Sequence, residues 1–202
     1  MNRQIVGESR DWFDGYVRSF RSEEREFQQN IEMKEKHTRR VCAEIRALGE
    51  ELGLHTEDLQ IAEVLALFHD IGRFEQYARY RTFVDRDSED HAALGVKILK
   101  ENGVLVGLDE PTRDLILRSI SYHNRAALPR EETEECLFFT KLLRDADKLD
   151  IWKVVTDYYR RKERRRNVAI ELGLPDTPGI SGKVYESLMR KEIVDAGHLT
   201  NL

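Results

Sequence analysis

The sequence predicts an all-α fold, a helical bundle, on three observations. Charged residues make up 35% of the 202 residues while only 4 are proline, which suits long helices with charged outer faces. Apolar residues recur three or four apart through most of the chain, the period of one helix face. No segment alternates apolar and polar residues as a half-buried strand does, and no internal repeat is found.

Each element follows from this spacing. From Ser9 to Gln29, the residues Trp12, Phe13, Tyr16, Val17, Phe20 and Phe27 predict one first helix, which Gly15 weakens without ending, and its aromatic stripe reads as cover for the core. A second run from Ile31 places Val41, Ile45, Leu48 and Leu52 on one face and stops at Gly53, a natural left-handed terminator. His37 lies one turn before Val41, on the same inward face. Thr56 is the expected N-cap of a third helix, with Glu57 and Asp58 in its first turn. Leu59, Ala62, Leu65, Ala66 and Phe68 carry that helix to Gly72, so His69 and Asp70 fall in its last turn. Phe74 to Asp87 shows no sustained period and reads as a loop or a broken helix.

Ser88 is the expected cap of a short helix through Leu94, Ile98 and Leu99, with His91 in its first turn and Gly103 at its end. Pro111 opens the next helix, through Leu115, Ile116 and Ile120, which ends around His123 and Asn124. A long helix follows from about Glu131 through Leu137, Phe138, Leu142, Leu143, Ala146 and Leu149. Leu174 to Gly182, with two prolines and two glycines, is the clearest linker, and a last helix fits Val184 to Ala196. The expected organisation is an N-terminal packing helix over 1–30, a central domain over 31–173, and a linker with a C-terminal helix over 174–202.

Composition excludes several classes. A 40% hydrophobic content with 12 glycines is that of a globular chain and excludes disordered and collagen-like proteins. The net charge of -5 supplies no global field to hold a nucleic-acid backbone. The basic run from Arg160 to Arg166 would spread around a helix axis rather than form a stripe, and reads as a solvated helix end. Val64 to Phe68, the longest apolar run, is far too short to cross a bilayer, and Met1 to Arg10 is too polar for a signal peptide. Cys42 and Cys136 have neither redox-pair nor zinc-knuckle spacing and read as free thiols of a reducing compartment, which makes the cytoplasm the expected location.

Four of the six histidines, His37, His69, His91 and His123, lie at or near the ends of four different expected helices, 32, 22 and 32 residues apart. That spacing is too long for a zinc finger and suits a site assembled inside a bundle, with Asp70 and Asp147 supplying carboxylates. Any one of these histidines alone would read as a hydrogen-bonded core residue. His55 and His198 read as surface residues.

Taken in order, His37, then His69-Asp70 before Ile71-Gly72, then Asp147 within Ala146-Asp147-Lys148-Leu149, resemble the signature of the HD superfamily of metal-dependent phosphohydrolases. The resemblance runs roughly from His37 to Asp150 and is most characteristic from Leu59 to Arg73. It implies an HD-domain helical bundle in which His37, His69, Asp70 and Asp147 bind a divalent metal, with Asp70 able to bridge a second. His91, within His91-Ala92-Ala93-Leu94-Gly95, and His123, after Ser121-Tyr122, look like the next two histidines of the superfamily's binuclear members. In single-metal members the equivalent histidines act on the substrate, so Asp70, His91 and His123 are candidates for catalysis. Asp145 rivals Asp147 for the last ligand position, and the Ala-Asp-Lys-Leu context favours Asp147. Asn124 follows His123 and no Gly-Tyr-Pro comes after it, which separates the chain from the HD-GYP cyclic-dinucleotide phosphodiesterases.

Imidazoles with carboxylates suit one or two divalent ions per chain, among manganese, iron, zinc, nickel, cobalt and magnesium. Such a site activates water for in-line attack on phosphorus without a protein nucleophile. Arg73 stands where many members carry lysine, and is a candidate both for catalysis and, as a bidentate fork, for phosphate binding. Arg79, Arg81 and Arg125 flank the proposed ligands as further candidates for the substrate. The expected activity is cleavage of a phosphomonoester or phosphodiester of a small phosphorylated metabolite, a nucleotide foremost. Two alternatives stand: an HD-type di-iron oxygenase similar in ligand order to myo-inositol oxygenase, and a non-catalytic signalling module. No membrane or nucleic-acid partner is expected. The sparsely covered C-terminal helix leaves open a homodimer or a longer protein.

Overall fold

A computed structural model describes residues 3–160, 170, 171 and 173–201. They form an all-α fold: α1 (Arg3–Arg18), α2 (Arg25–Glu51), α3 (Thr56–Phe68), α4 (Gly72–Tyr80), α5 (His91–Glu101), α6 (Glu110–Tyr122), α7 (Glu134–Arg160) and α8 (Gly182–Met189), with short 3-10 turns at Asp85–Asp87 and Ala196–His198. No strand occurs among the described residues. Two compact units result, Met1–Val154 and Val155–Leu202. No helix among the described residues is long and apolar enough to cross a membrane.

In the first unit α3 is central, packed by α1, α2 and α6. Every residue from Ile61 to Gly72 is buried, the signature of a helix apolar on all sides. The aromatic stripe of α1 closes one flank: Trp12 meets Phe68 edge to face at 5.9 Å, and Phe13, fully buried, meets Phe74 at 5.9 Å. Truncating Phe13 to alanine is expected to cost roughly 3–5 kcal/mol through transfer and cavity terms.

Several boundaries differ from the sequence reading. The single helix expected from Ser9 to Gln29 is two, because local hydrogen bonds end α1 where neither glycine nor proline signals it. Ser19 Oγ donates to the Tyr16 carbonyl at 2.6 Å, and Ser22 Oγ accepts from the Glu24 amide. Phe27 therefore belongs to α2. Thr56 is the first residue of α3 and His55 takes the cap position, without a side-chain bond. The stretch after Phe74 is the broken helix of the two readings: α4 closes on Arg81 in the left-handed region (φ 57°), and an irregular segment follows. Asp90, not Ser88, caps α5, its carboxylate accepting from the Ala92 and Ala93 amides, while Ser88 Oγ donates to the Val84 carbonyl. α6 starts on Asp109, which accepts from Thr112 N, with Pro111 in the first turn as expected. α7 begins three residues later than expected, at Glu134, and buries Cys136 and Phe139 rather than Phe138, leaving Phe138 and Leu149 exposed.

Gly72, expected to end a helix, instead opens α4, and its role is close approach. A Cβ there would lie 2.2 Å from the His91 carbonyl oxygen and 2.7 Å from Gly95 N. Gly95 is also close-packed, a Cβ meeting Ile71 Cγ2 at 3.2 Å. This contact of two glycines brings the start of α5, and with it His91, against the turn that carries His69 and Asp70.

In the second unit, the segment from Leu174 to Ser181 is irregular as expected, and α8 is shorter than the helix expected from Val184 to Ala196. Asn201 Nδ2 donates to the Thr177 and Gly179 carbonyls, and Tyr158 donates to Glu171 Oε1 at 2.5 Å. Of the basic run expected to form a solvated helix end, Arg160 ends α7, and residues 161–166 lie outside the described residues.

Candidate metal centre

The four histidines singled out by their positions converge. His37 comes from α2, His69 and Asp70 from the turn between α3 and α4, His91 from the first residue of α5, His123 from the end of α6, and Asp147 from α7. All six are buried. His37 and His69 face each other Nε2 to Nε2 at 3.3 Å, as do His91 and His123 at 3.1 Å. Asp70 stands between the pairs. Its Oδ2 lies 3.6 Å from His37 Nε2 and 3.7 Å from His69 Nε2, while its Oδ1 lies 3.4 Å from His91 Nε2 and 3.9 Å from His123 Nε2. Asp147 Oδ1 joins the first pair, 3.2 Å from His37 and 3.8 Å from His69. Asp145 is exposed, which leaves Asp147 as the α7 carboxylate within the cluster.

The outer nitrogens define the chemistry of the inner ones. His69 Nδ1 donates to the Ala66 carbonyl and His123 Nδ1 to the Ile120 carbonyl, both at 2.7 Å. His37 Nδ1 meets Asp150 Oδ2 and His91 Nδ1 meets Asp85 Oδ2, again at 2.7 Å. Carbonyls and carboxylates only accept, so each Nδ1 carries the proton and each Nε2 of a neutral ring presents a bare lone pair. Four lone pairs and two carboxylates facing one another repel unless a cation lies among them, and the donor set therefore fits divalent metal. Arg73 Nε adds a second indication: it is buried without a hydrogen-bond partner, 3.5 Å from Asp70 Oδ1.

The charge states agree at His69 and His123. Burial pushes the His69 imidazole down, and burial together with His91 and His69 pushes His123 down to about 3. His37 moves the other way: burial opposes its charge, but hydrogen bonds with Asp147 and Asp150 outweigh that and raise it. Burial alone would raise Asp70, yet Lys34 foremost, with Arg73, holds it well below the usual carboxylate range. Asp147 is likewise held down, against its burial, chiefly by the hydrogen bond to His37.

Three contributors were not among the residues singled out from sequence. Asp150, fully buried, orients His37 and is itself held by Arg40 Nε at 2.5 Å. It lies three residues after Asp147, on the same face of α7, a signal the sequence did carry. Asp85 orients His91 and also accepts from Arg73, Gln76 and Asn124, and no sequence pattern marks it within an acidic loop. Lys34, one turn before His37, donates to Asp70 Oδ2 at 2.8 Å. Asp85, Asp90 and His91 also lie within ligand distance of one another, but both carboxylates already accept several hydrogen bonds and serve as scaffold.

The arginines singled out for the substrate are placed differently. Arg73 is beside Asp70, with Nη1 donating to Gln76, the Phe83 carbonyl and Asp85. Arg79 pairs with Glu75 and Glu89, Arg81 pairs with Glu24 and lies over Phe27, and Arg125 lies over Tyr122. None of these three contacts the histidine cluster. A separate surface groove with Arg18, Arg21, Glu32, Glu35 and Lys36 among its walls contains none of the cluster and mixes both charges. His55 is exposed, and His198, in the second unit, is half-buried.

No curated protein matches the chain. A solved structure, that of a predicted HD superfamily hydrolase from an uncultured Thermotogales bacterium, is similar over 84% of this chain and 81% of its own, with 20% identity and a TM-score of 0.46. The family model of the HD domain matches residues 35–152, more than half of the chain, from just before His37 to just beyond Asp150. That span takes in every residue of the cluster, and the chain belongs to the HD-domain family.

Proposed function

We propose that the protein is a metal-dependent phosphohydrolase that cleaves a phosphomonoester or phosphodiester of a small phosphorylated metabolite, most directly a nucleotide. The observation that carries the reading is Asp70, whose two oxygens face two separate histidine pairs. His37, His69, Asp70 and Asp147 would hold one divalent ion, and Asp70, His91 and His123 a second. Ions so held supply an activated water and a clamp for phosphoryl oxygens. The chain's own residues do the rest. Asp150 and Asp85 keep the Nδ1 protons of His37 and His91 in place, and the buried walls exclude bulk water. Arg73 offers its unpartnered Nε toward the second set, and Arg79, Arg81 and Arg125 remain candidates for the more distant parts of a substrate. The same reading places the protein in the cytoplasm, where the free thiols of Cys42 and Cys136 persist, without membrane or nucleic-acid partners, and with a homodimer as its candidate assembly.

Elemental analysis of protein purified without added metal, with hydrolysis tested on phosphomonoesters, phosphodiesters and nucleotides, tests the proposal. The expected result is about two metals per chain with hydrolysis, falling to about one in His123→Ala. One metal per chain in the unmodified protein, retained in His123→Ala but lost in His69→Ala, would make His91 and His123 substrate contacts. Two irons without hydrolysis would overturn the reading in favour of oxygen chemistry.

A further inference from the structure

Lys34 contacts the centre at a telling atom. Its ammonium is bound to Asp70 Oδ2, the oxygen that faces His37 and His69, and its side chain is only 17% exposed. A divalent ion held by the first donor set would share that oxygen with a second cation. Lysine can yield it: the ammonium is a point charge on a flexible four-carbon stem, with three donors. Among the described residues, Nζ has no hydrogen-bond partner besides Asp70, and otherwise lies 5.3 Å from the Phe83 ring centroid. Two neighbouring cations differ from it. Arg73 has its Nη1 fixed on Gln76, Phe83 and Asp85. Lys148 binds Asp147 through Oδ2, whereas the histidines approach that carboxylate at Oδ1, and its side chain is 51% exposed.

We infer that Lys34 is a displaceable internal cation, which neutralises Asp70 Oδ2 in the metal-free protein, yields that oxygen to a divalent metal, and then presents its ammonium to a phosphoryl oxygen of the substrate. The last step rests on the phosphohydrolase reading, and the first two do not. Lys34 thus joins Arg73 as a candidate contact for phosphate.

The test uses the full chain, Mn2+ and inorganic phosphate. Lys34→Met and Lys34→Gln are expected to bind Mn2+ roughly tenfold more tightly than the unmodified protein, by competition with a chelating dye, because a competing cation is gone. Lys148→Met, the control for general charge loss, is expected to change it by about twofold or less. On Mn2+-saturated protein, both neutral variants are expected to weaken phosphate binding by about tenfold or more, the range of a lost charged hydrogen bond, while Lys34→Arg retains it. Unchanged Mn2+ affinity in both neutral variants, or equal tightening in Lys148→Met, overturns the displaceable cation. Unchanged phosphate affinity overturns the substrate contact. If the unmodified protein binds Mn2+ but no phosphate, the phosphohydrolase reading fails and the Mn2+ comparison still decides the role of Lys34. Failure to bind Mn2+ at all overturns both.

Discussion

The two halves of the metal centre share Asp70 but are supported differently. In the first, His37 is oriented by Asp150, which is fully buried on α7 and clamped by Arg40, and His69 by the backbone of its own helix. In the second, His123 is also oriented by its own helix, but His91 depends on Asp85, which lies in the irregular segment between α4 and α5 with its side chain 32% exposed. Helical residues support both histidines of the first half, whereas one support of the second sits on a partly exposed loop. A ligand site is only as fixed as the groups that hold its ligands, so the first half should bind metal more tightly and the second should follow the loop.

The largest expected effect comes from the residue both halves share. Asp70→Asn removes the negative charge from both donor sets at once, and hydrolysis is expected to fall by about a thousandfold or more, with metal content dropping at both positions. Loss of one metal alone, measured by elemental analysis, would show that Asp70 serves a single half.

Next comes the contact that joins the halves. Gly72→Ala would place a Cβ 2.2 Å from the His91 carbonyl oxygen. Backbone cannot yield as a side-chain tip does, so the substitution is expected to cost about 3 kcal/mol or more of stability in urea unfolding. It should also displace His91, and therefore empty the second position before the first. A variant as stable as the unmodified protein would mean that α4 and α5 separate more readily than this packing implies.

A smaller, paired comparison isolates the supports. Asp150→Asn and Asp85→Asn each weaken an Nδ1 hydrogen bond without touching a candidate ligand, and such changes cost roughly 10- to 100-fold in metal affinity. Asp150→Asn is expected to weaken the first position and Asp85→Asn the second, in two-phase metal titrations. Both acting on the same phase would remove the distinction drawn between the halves.

These same supports mark the limit of what could be read without a fold. The all-α class, the order of helices and the six converging residues were legible because helix periodicity and the HD signature lie in adjacent or regularly spaced residues. Asp150 and Lys34 were legible in principle, each lying three residues from a singled-out residue on the same helix. Asp85 was not: its role comes from a turn six residues before His91 whose path no periodicity fixes. The end of α1 at Ser19 and the cap at Asp90 were missed for a related reason, since side-chain bonds to nearby backbone decide them and several serines and aspartates compete for the part. The arginines near the cluster in sequence are mostly paired with nearby acids, and that competition is invisible until the loop is folded.

The smallest expected effect concerns pH, where the buried histidines respond with opposite signs. An unfolded histidine titrates near 6.5. His123, held down to about 3, and His69, also lowered, stay neutral in the folded metal-free protein while the unfolded chain takes up their protons. Their contribution is present above about pH 6.5 and is lost as pH falls below it. His37 is raised, so its contribution is fully present below about pH 6.5 and is lost as pH rises through its folded value. Carboxylates such as Asp70 and Asp147 titrate in the unfolded chain near 3.9 and stay out of the window from about pH 7 to 5. Two lowered histidines against one raised predict a net loss of stability for the metal-free protein across that window, measured as the urea midpoint. His123→Gln should flatten the loss and His37→Gln should steepen it. The slopes, unlike absolute stabilities, are insensitive to any general damage from the substitutions, so a steeper loss in His123→Gln would show that the second half, not the first, is where a proton can replace the metal.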